Sequence, residues 1–256
     1  MSPESSRWQA GPRRPRLGNR EVHVWRSSLD LPAAVRSRLS VSLSLDELER
    51  ASRFATDKLR HRYVAGRGIL RSLLGSFLGR SPGSLQFQYG EHEKPFLVGD
   101  AAETGLQFNV SHSHDLGLFA FSLGRDIGVD VEWMRANLEP EEIASRFFSP
   151  TESARLKSLA DAQQRQYFFA LWTCKEAFVK AHGGGITFGL SRFDVQLEPG
   201  AMSAAIVGNE GGVLLSPWFA HRLEPGPGFA GALVVEERDP ALSLWEWSAA
   251  CLAESL

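Results

Sequence analysis

Cysteine is scarce: Cys174 and Cys251 are the only two among 256 residues. Two thiols make neither a disulfide framework nor a cysteine-based zinc site, and they suit a reducing cytoplasm, the expected compartment. Cys174 falls within a helical stretch and reads as a small buried apolar residue. Long apolar runs are missing as well. No stretch of about 18 uncharged apolar residues occurs, so no membrane-spanning helix is expected. The first residues lack the apolar core of a secretory signal. Nor does either charge dominate: 28 Lys and Arg stand against 30 Asp and Glu, a net −2. That balance argues against the basic footprint of a general nucleic-acid binder. The phosphate loop GxxxxGK[ST] is absent, which removes the P-loop reading. What is present is ordinary for a globular chain, 43% apolar and 23% charged, with room for one large domain or two smaller ones.

Residues 1–20 carry five arginines, three prolines and one glutamate without hydrophobic periodicity, and a disordered leader is expected there. Order begins with an alternating strand at Glu21–Trp25. Ser44-Leu-Asp-Glu47 has capping-box spacing and opens a helix. A second helix runs from Thr56 to Gly79, with Leu59, Tyr63, Leu70, Leu73, Leu74 and Phe77 on one face. Arg60, Arg67 and Arg71 line its flank, with Lys58, His61 and Arg62 close by. These are either solvated helix cations or a cluster that neutralises a phosphate ligand. Strands follow at Leu85–Tyr89, at Leu106–Val110 and at Leu116–Leu123, the last two separated by a break at Ser111–Asp115. Gly124-Arg-Asp126 marks the midpoint, and Ile127–Glu132 is a strand again. Ser149-Pro-Thr-Glu152 starts a helix. The strongest helical pattern, Tyr167–His182, is stopped by Gly183–Gly185. Short strands near 193–197, 204–207, 218–223 and 229–236 complete the reading. The order strand, helix, strands occurs twice. The expected fold is therefore α+β, a pseudo-dimer of two similar α+β halves, 21–125 and 126–240, with a ligand cleft between them. Residues 241–256 are a tail with no assigned element.

Asp130 and Glu132 are two apart on a strand and share a face, while Ile127, Val129 and Val131 take the other. With Glu176 they give three hard oxygen donors, the preference of Mg²⁺ rather than zinc. A solvated strand face is an equal alternative. Trp172, Glu176 and Lys180 rise along one helical stripe, whereas Leu171 and Phe178 face a core. Alone, that stripe is an ordinary Glu–Lys pair. His112 lies where a strand ends and either donates to a phosphate or supports its own loop. Lys94 precedes Pro95, so its backbone is held extended. His114 reads as a loop residue.

Together these segments resemble a known family. Phe108-Asn-Val-Ser-His-Ser113, Ile127-Gly-Val-Asp-Val-Glu132, Arg146-Phe-Phe-Ser-Pro-Thr-Glu152 and Leu171-Trp-Thr-Cys-Lys-Glu-Ala-Phe-Val-Lys180 are similar, in that order, to 4′-phosphopantetheinyl transferases of the surfactin-synthetase-activating type. The resemblance covers roughly residues 21–236. It implies coenzyme A bound between two α+β halves, with Asp130, Glu132 and Glu176 around Mg²⁺ and Lys180 on the phosphates. Ser111, His112, Lys94 and Arg62 would hold the nucleotide end, and Glu152 matches an acidic position near the metal. The turn before Lys94 departs from the family pattern, with Glu93 where glycine is usual. The implied reaction moves phosphopantetheine from coenzyme A to a serine of an apo acyl or peptidyl carrier protein and releases 3′,5′-ADP. Glu176 is the first candidate for the base and Glu152 the second. A Mg²⁺-dependent hydrolase of coenzyme A or another nucleotide pyrophosphate would use the same carboxylates. No nucleic-acid or membrane partner is expected, and one chain that supplies both halves should be a monomer. Trp133–Phe148, with Met134 and Leu138 read as exposed, is the expected carrier-docking segment.

Overall fold

Two 22-residue helices organise the structure, each closed by a glycine in the left-handed region. The computed structural model describes residues 8–90, 94–183, 189–208 and 217–252. Helix α3 (Asp57–Leu78) begins at Thr56, whose side chain accepts the Leu59 N–H, and stops at Gly79, φ 63°. Helix α6 (Asp161–His182) stops at Gly183, φ 77°. Of the expected glycine stop, Gly184 and Gly185 lie outside the described residues, as does Glu93.

The first half holds β1 (Gln9–Ala10), β2 (Glu21–Ser28), α1 (Ala33–Ser40), α2 (Leu45–Ser52), α3, the small pair β3 (Phe87–Tyr89) and β4 (Pro95–Leu97), then β5 (Leu106–Ser113) and β6 (Leu116–Leu123). The second holds β7 (Gly128–Trp133), α4 (Pro140–Phe147), α5 (Pro150–Lys157), α6, and strands β8 (Phe193–Val195), β9 (Ser203–Gly208), β10 (Trp218–Leu223) and β11 (Phe229–Val235). Strand β12 (Ala241–Glu246) follows. One five-stranded sheet has the order β1-β12-β2-β6-β5 and the other β7-β11-β10-β9-β8. The architecture is mixed α and β, as expected.

Strand alternation assigns the faces. Val22, Val24, Leu118 and Ala120 of the first sheet pack with Val129, Val131, Leu233 and Val235 of the second. The intervening residues Ala232 and Val234 turn to α6 and join its core with Leu171, Phe178 and Phe193. On the far face of the first sheet, α3 contributes Ala65, Ile69, Leu70, Leu73 and Leu74 to a core with Trp25, Phe108 and Phe121. Leu59 departs from the expected apolar face and is exposed.

Three expectations are corrected. Residues 8–20 of the leader are built into the fold: β1 pairs with β12, and the Trp8 indole N–H donates to the Glu224 carbonyl at 2.7 Å. Residues 241–246 are no tail, because β12 lies parallel to β2 inside the first sheet. The strand expected to break at Ser111 continues to Ser113 as β5.

That continuation joins the halves. Side chains two apart on β5 accept successive N–H groups along β7. Asn109 Oδ1 takes Val129 N–H at 2.9 Å, Ser111 Oγ takes Val131 N–H at 3.3 Å, and Ser113 Oγ takes Trp133 N–H at 3.0 Å. The open edge of β7 is thereby satisfied by side chains rather than by a further strand.

Candidate active site

The seam between β5 and β7 is also where most of the expected polar residues meet. Gly128 sets the approach of α6 to β7. A Cβ there would stand 1.9 Å from the Ala177 carbonyl oxygen and 2.6 Å from the Ala181 nitrogen, so only glycine lets the helix backbone lie on the strand. Asp130 sits two residues further on the same face, with a relative exposure of 4%. Lys180 reaches across from α6: its Nζ donates to Asp130 Oδ1 at 2.7 Å and to Ser111 Oγ at 2.9 Å. Ser111 Oγ in turn donates to Asp130 Oδ1 at 2.8 Å. Asp130 Oδ2 is buried and has no hydrogen-bond partner among the described residues.

Glu132 and Glu176 complete an acidic group. Burial raises the pKa of Glu132, and the Asp130 charge adds to it although Ser113 Oγ donates to Glu132 Oε2 at 2.8 Å. Burial, the charge of Asp130 and that of Glu132 raise Glu176, while Lys180 opposes them. Three carboxylates with one ammonium among them hold unbalanced negative charge, a setting that favours a further cation. As the side chains stand, no three of His, Cys, Asp or Glu among the described residues form a ready metal-binding group. Lys180 occupies Asp130 Oδ1 instead.

The basic residues arrive from the first half. Lys94 donates from Nζ to the Lys180 carbonyl at 2.8 Å, and burial lowers its pKa. His112 is lowered by loss of hydration, then by the charges of Lys180 and Arg62. Arg62 is committed to both oxygens of Asp30, 2.6 Å each, and to the His114 carbonyl at 2.6 Å. His114 is in the β5–β6 turn, as expected of a loop residue, at φ 53°. The arginine flank of α3 does not gather at a ligand. Arg67 and Arg71 both pair with buried Glu47, and Arg60 pairs with Asp57. Lys58 and His61 instead line a surface pocket with Asp30 and Arg36.

Glu152 is the expected site residue that the fold does not bring to the group. Its carboxylate caps α5, accepting the Ser149 N–H at 2.9 Å. It also accepts the Val195 N–H at 2.8 Å and pairs with Lys175 at 2.8 Å. Burial raises its pKa against the pull of Lys175. The exposure expected of Met134 and Leu138 in the docking segment is corrected too. It contains α4, and Met134 and Leu138 pack partly buried against the α6 core. The exposed apolar groups beside the site are Trp133 and Phe147, with relative exposures of 38% and 41%. Trp133 stacks on His114, and Phe147 meets Trp172 edge-on.

Three contributors escaped the sequence reading: Ser113, Asn109 and Gly128. A glycine inside a strand pattern was the available signal for the last of these.

Both halves of the chain are similar to known proteins. A family model described as the 4′-phosphopantetheinyl transferase superfamily matches residues 126–233. Another, 4′-phosphopantetheinyl transferase, N-terminal, matches residues 32–123. The 4′-phosphopantetheinyl transferase HetI of Nostoc sp. is 46% identical over 192 residues, 75% of this chain and 81% of that protein. A 4′-phosphopantetheinyl transferase of Bacillus subtilis is 33% identical over 168 residues, covering 66% and 72%. The 4′-phosphopantetheinyl transferase Sfp of Bacillus subtilis strain 168 is 30% identical over 198 residues, covering 77% and 84%.

Proposed function

The chain belongs to the 4′-phosphopantetheinyl transferase family, and from that premise we propose that it moves phosphopantetheine from coenzyme A to a serine of an apo acyl or peptidyl carrier protein. The observation that carries this reading is the convergence of Lys180, Asp130 and Ser111 from three elements of two halves. The seam is then the ligand cleft of a pseudo-dimer within one chain, and the working unit is a monomer. The narrower assignment to the surfactin-synthetase-activating type belongs to the same proposal and rests on the four motif segments.

In the reaction, the serine oxygen forms a bond to the β-phosphorus and the bond from that phosphorus to the bridging oxygen breaks. The serine proton passes to Glu176, directly or through water. The leaving group is 3′,5′-ADP, and Lys180 offsets the charge that develops on it. Lys94, His112 and Ser111 hold the nucleotide end, with Arg62, bound to Asp30 and the His114 carbonyl, bracing the turn that follows His112. Asp130, Glu132 and Glu176 suit a hard divalent ion, because their charge is unbalanced and Asp130 Oδ2 is an unused buried donor. Mg²⁺ bound there would weaken the repulsion between the pyrophosphate and the nucleophile.

Intact-mass measurement of apo-carrier proteins incubated with the enzyme, coenzyme A and Mg²⁺ tests the proposal. A gain of one phosphopantetheine group, lost in excess chelator, is the expected result. Coenzyme A consumed without any carrier would instead mean hydrolysis.

A further inference from the structure

Lys175 immediately precedes Glu176 and points about 100° away around the helix. Its relative exposure is 0%, and its ammonium is surrounded by acceptors: Glu152 Oε2 at 2.8 Å, the Leu190 carbonyl at 2.7 Å and the Phe193 carbonyl at 2.7 Å. The ring of Phe193 lies 4.2 Å from Nζ. Glu152 is engaged as fully, by the Ser149 N–H, the Val195 N–H and Lys175. Two buried charges thus tie the start of α5, the middle of α6, the turn at Leu190 and the edge strand β8 to one point.

A buried ion pair is a poor source of net stability, since removal from water offsets much of the attraction. It is a good source of geometry, because each group has a fixed set of partners. Consecutive helix residues are separated by about 100°, so fixing Lys175 fixes the direction of Glu176. Lys180 lies one turn beyond Glu176 on the same stripe. Gly128 seats α6 against β7, Leu171, Ala177 and Phe178 pack its inner face, and the Glu152–Lys175 pair adds a directional polar anchor to that packing.

We propose that the Glu152–Lys175 pair is a positioning device, which holds the rotation of α6 so that Glu176 and Lys180 face Asp130. It rests on the transferase reading above, and it replaces the second-base role for Glu152 with an indirect one. Neither residue touches the substrate.

The test compares E152Q, K175M and the double variant with the parent, at matched folded fraction, using coenzyme A and an apo-acyl carrier protein. A misaimed helix shifts reacting groups by a fraction of an ångström to an ångström, so each single variant should lose about ten- to a hundredfold in kcat. The carrier KM should stay at the parent value. Because the pair acts as a unit, the double variant should lose no more than the worse single one. A resonance of 5-fluorotryptophan at Trp172, four residues before Glu176 on the same stripe, should shift in every folded variant. If K175M does not fold, E152Q alone decides by the same kcat and fluorine readouts. Unchanged kcat with an unmoved resonance overturns the proposal and leaves a purely stabilising pair. E152Q far worse than K175M, with losses that multiply in the double variant, also overturns it and makes Glu152 the base. A parent chain that transfers nothing would defeat the transferase reading, while the fluorine shift would still report the lock.

Discussion

At the scale of single residues, the site turns on one buried carboxylate, Asp130. Lys180 holds Asp130 Oδ1 at 2.7 Å, and Asp130 Oδ2 has no partner among the described residues. The basic groups beside them are cast as binding groups, because each can make a charge-assisted bond to a phosphate. K94A and H112A should each weaken coenzyme A binding by about 1–3 kcal/mol, measured by calorimetry. Parent-like affinity in both would move the nucleotide off the seam. The sequence made these residues visible one by one, through the Lys-Pro turn, the strand-end histidine and the alternating acids. It did not disclose that Glu152 is spent elsewhere. The local signal, serine followed three residues later by glutamate, is a cap, and the cap is present. Its other partners, Lys175 and Val195, are brought to it only by the fold.

Among elements, α6 was legible because its glycine stop and apolar periodicity are local. So was α3, from Thr56 and Gly79. The reach of β5 to Ser113 was not, since Ser-His-Ser-His-Asp has turn composition although Ser111–Ser113 pair with Leu116–Leu118 of β6, and their hydroxyls bond to a segment 20 residues away. The seat of α6 gives a prediction at this scale. G128V places side-chain atoms in the Ala177–Ala181 backbone and must push the helix off β7. Transfer should fall by about a hundredfold or more, with a lower melting temperature; parent-like kinetics would mean that α6 is not aimed by this contact.

The α2–α3 joint gives another. Burial raises Glu47, but the hydrogen bond from Arg71 and the charge of Arg67 outweigh it and hold the pKa below its ordinary 4.5. A folded-state pKa below the unfolded one adds stability in full above the unfolded value. That stability disappears as pH falls through the folded value. Acid melts should therefore show a loss of stability below about pH 4.5 that E47Q lacks. At neutral pH E47Q should cost about 3 kcal/mol or more, since two arginines lose their shared partner. Superimposable stability–pH curves for the two proteins would contradict this.

Across the whole molecule, the ends of the chain were the least legible part. Strand β12 pairs in parallel with β2, more than 200 residues earlier, with Trp245 opposite Trp25. No local pattern in Ala-Leu-Ser-Leu-Trp-Glu selects that partner. Duplicated element order was readable, but the return of β12 to the first sheet was not. The second half presents exposed Trp133, next to Glu132, and exposed Phe147, edge-on to Trp172, and these are the proposed contacts for a carrier. W133E/F147E should raise the carrier KM and leave coenzyme A affinity unchanged, because an apolar contact is lost and an acidic partner repelled. An unchanged carrier KM would place docking on another surface.

The central claim is that the β5–β7–α6 seam receives the pyrophosphate of coenzyme A, and a crystal structure of the protein with coenzyme A and Mg²⁺ tests it most directly. Pyrophosphate density is expected against Lys180, with the Lys180–Asp130 pair opened and the nucleotide end beside His112 and Lys94. Coenzyme A bound elsewhere, with Lys180 still seated on Asp130, would contradict it.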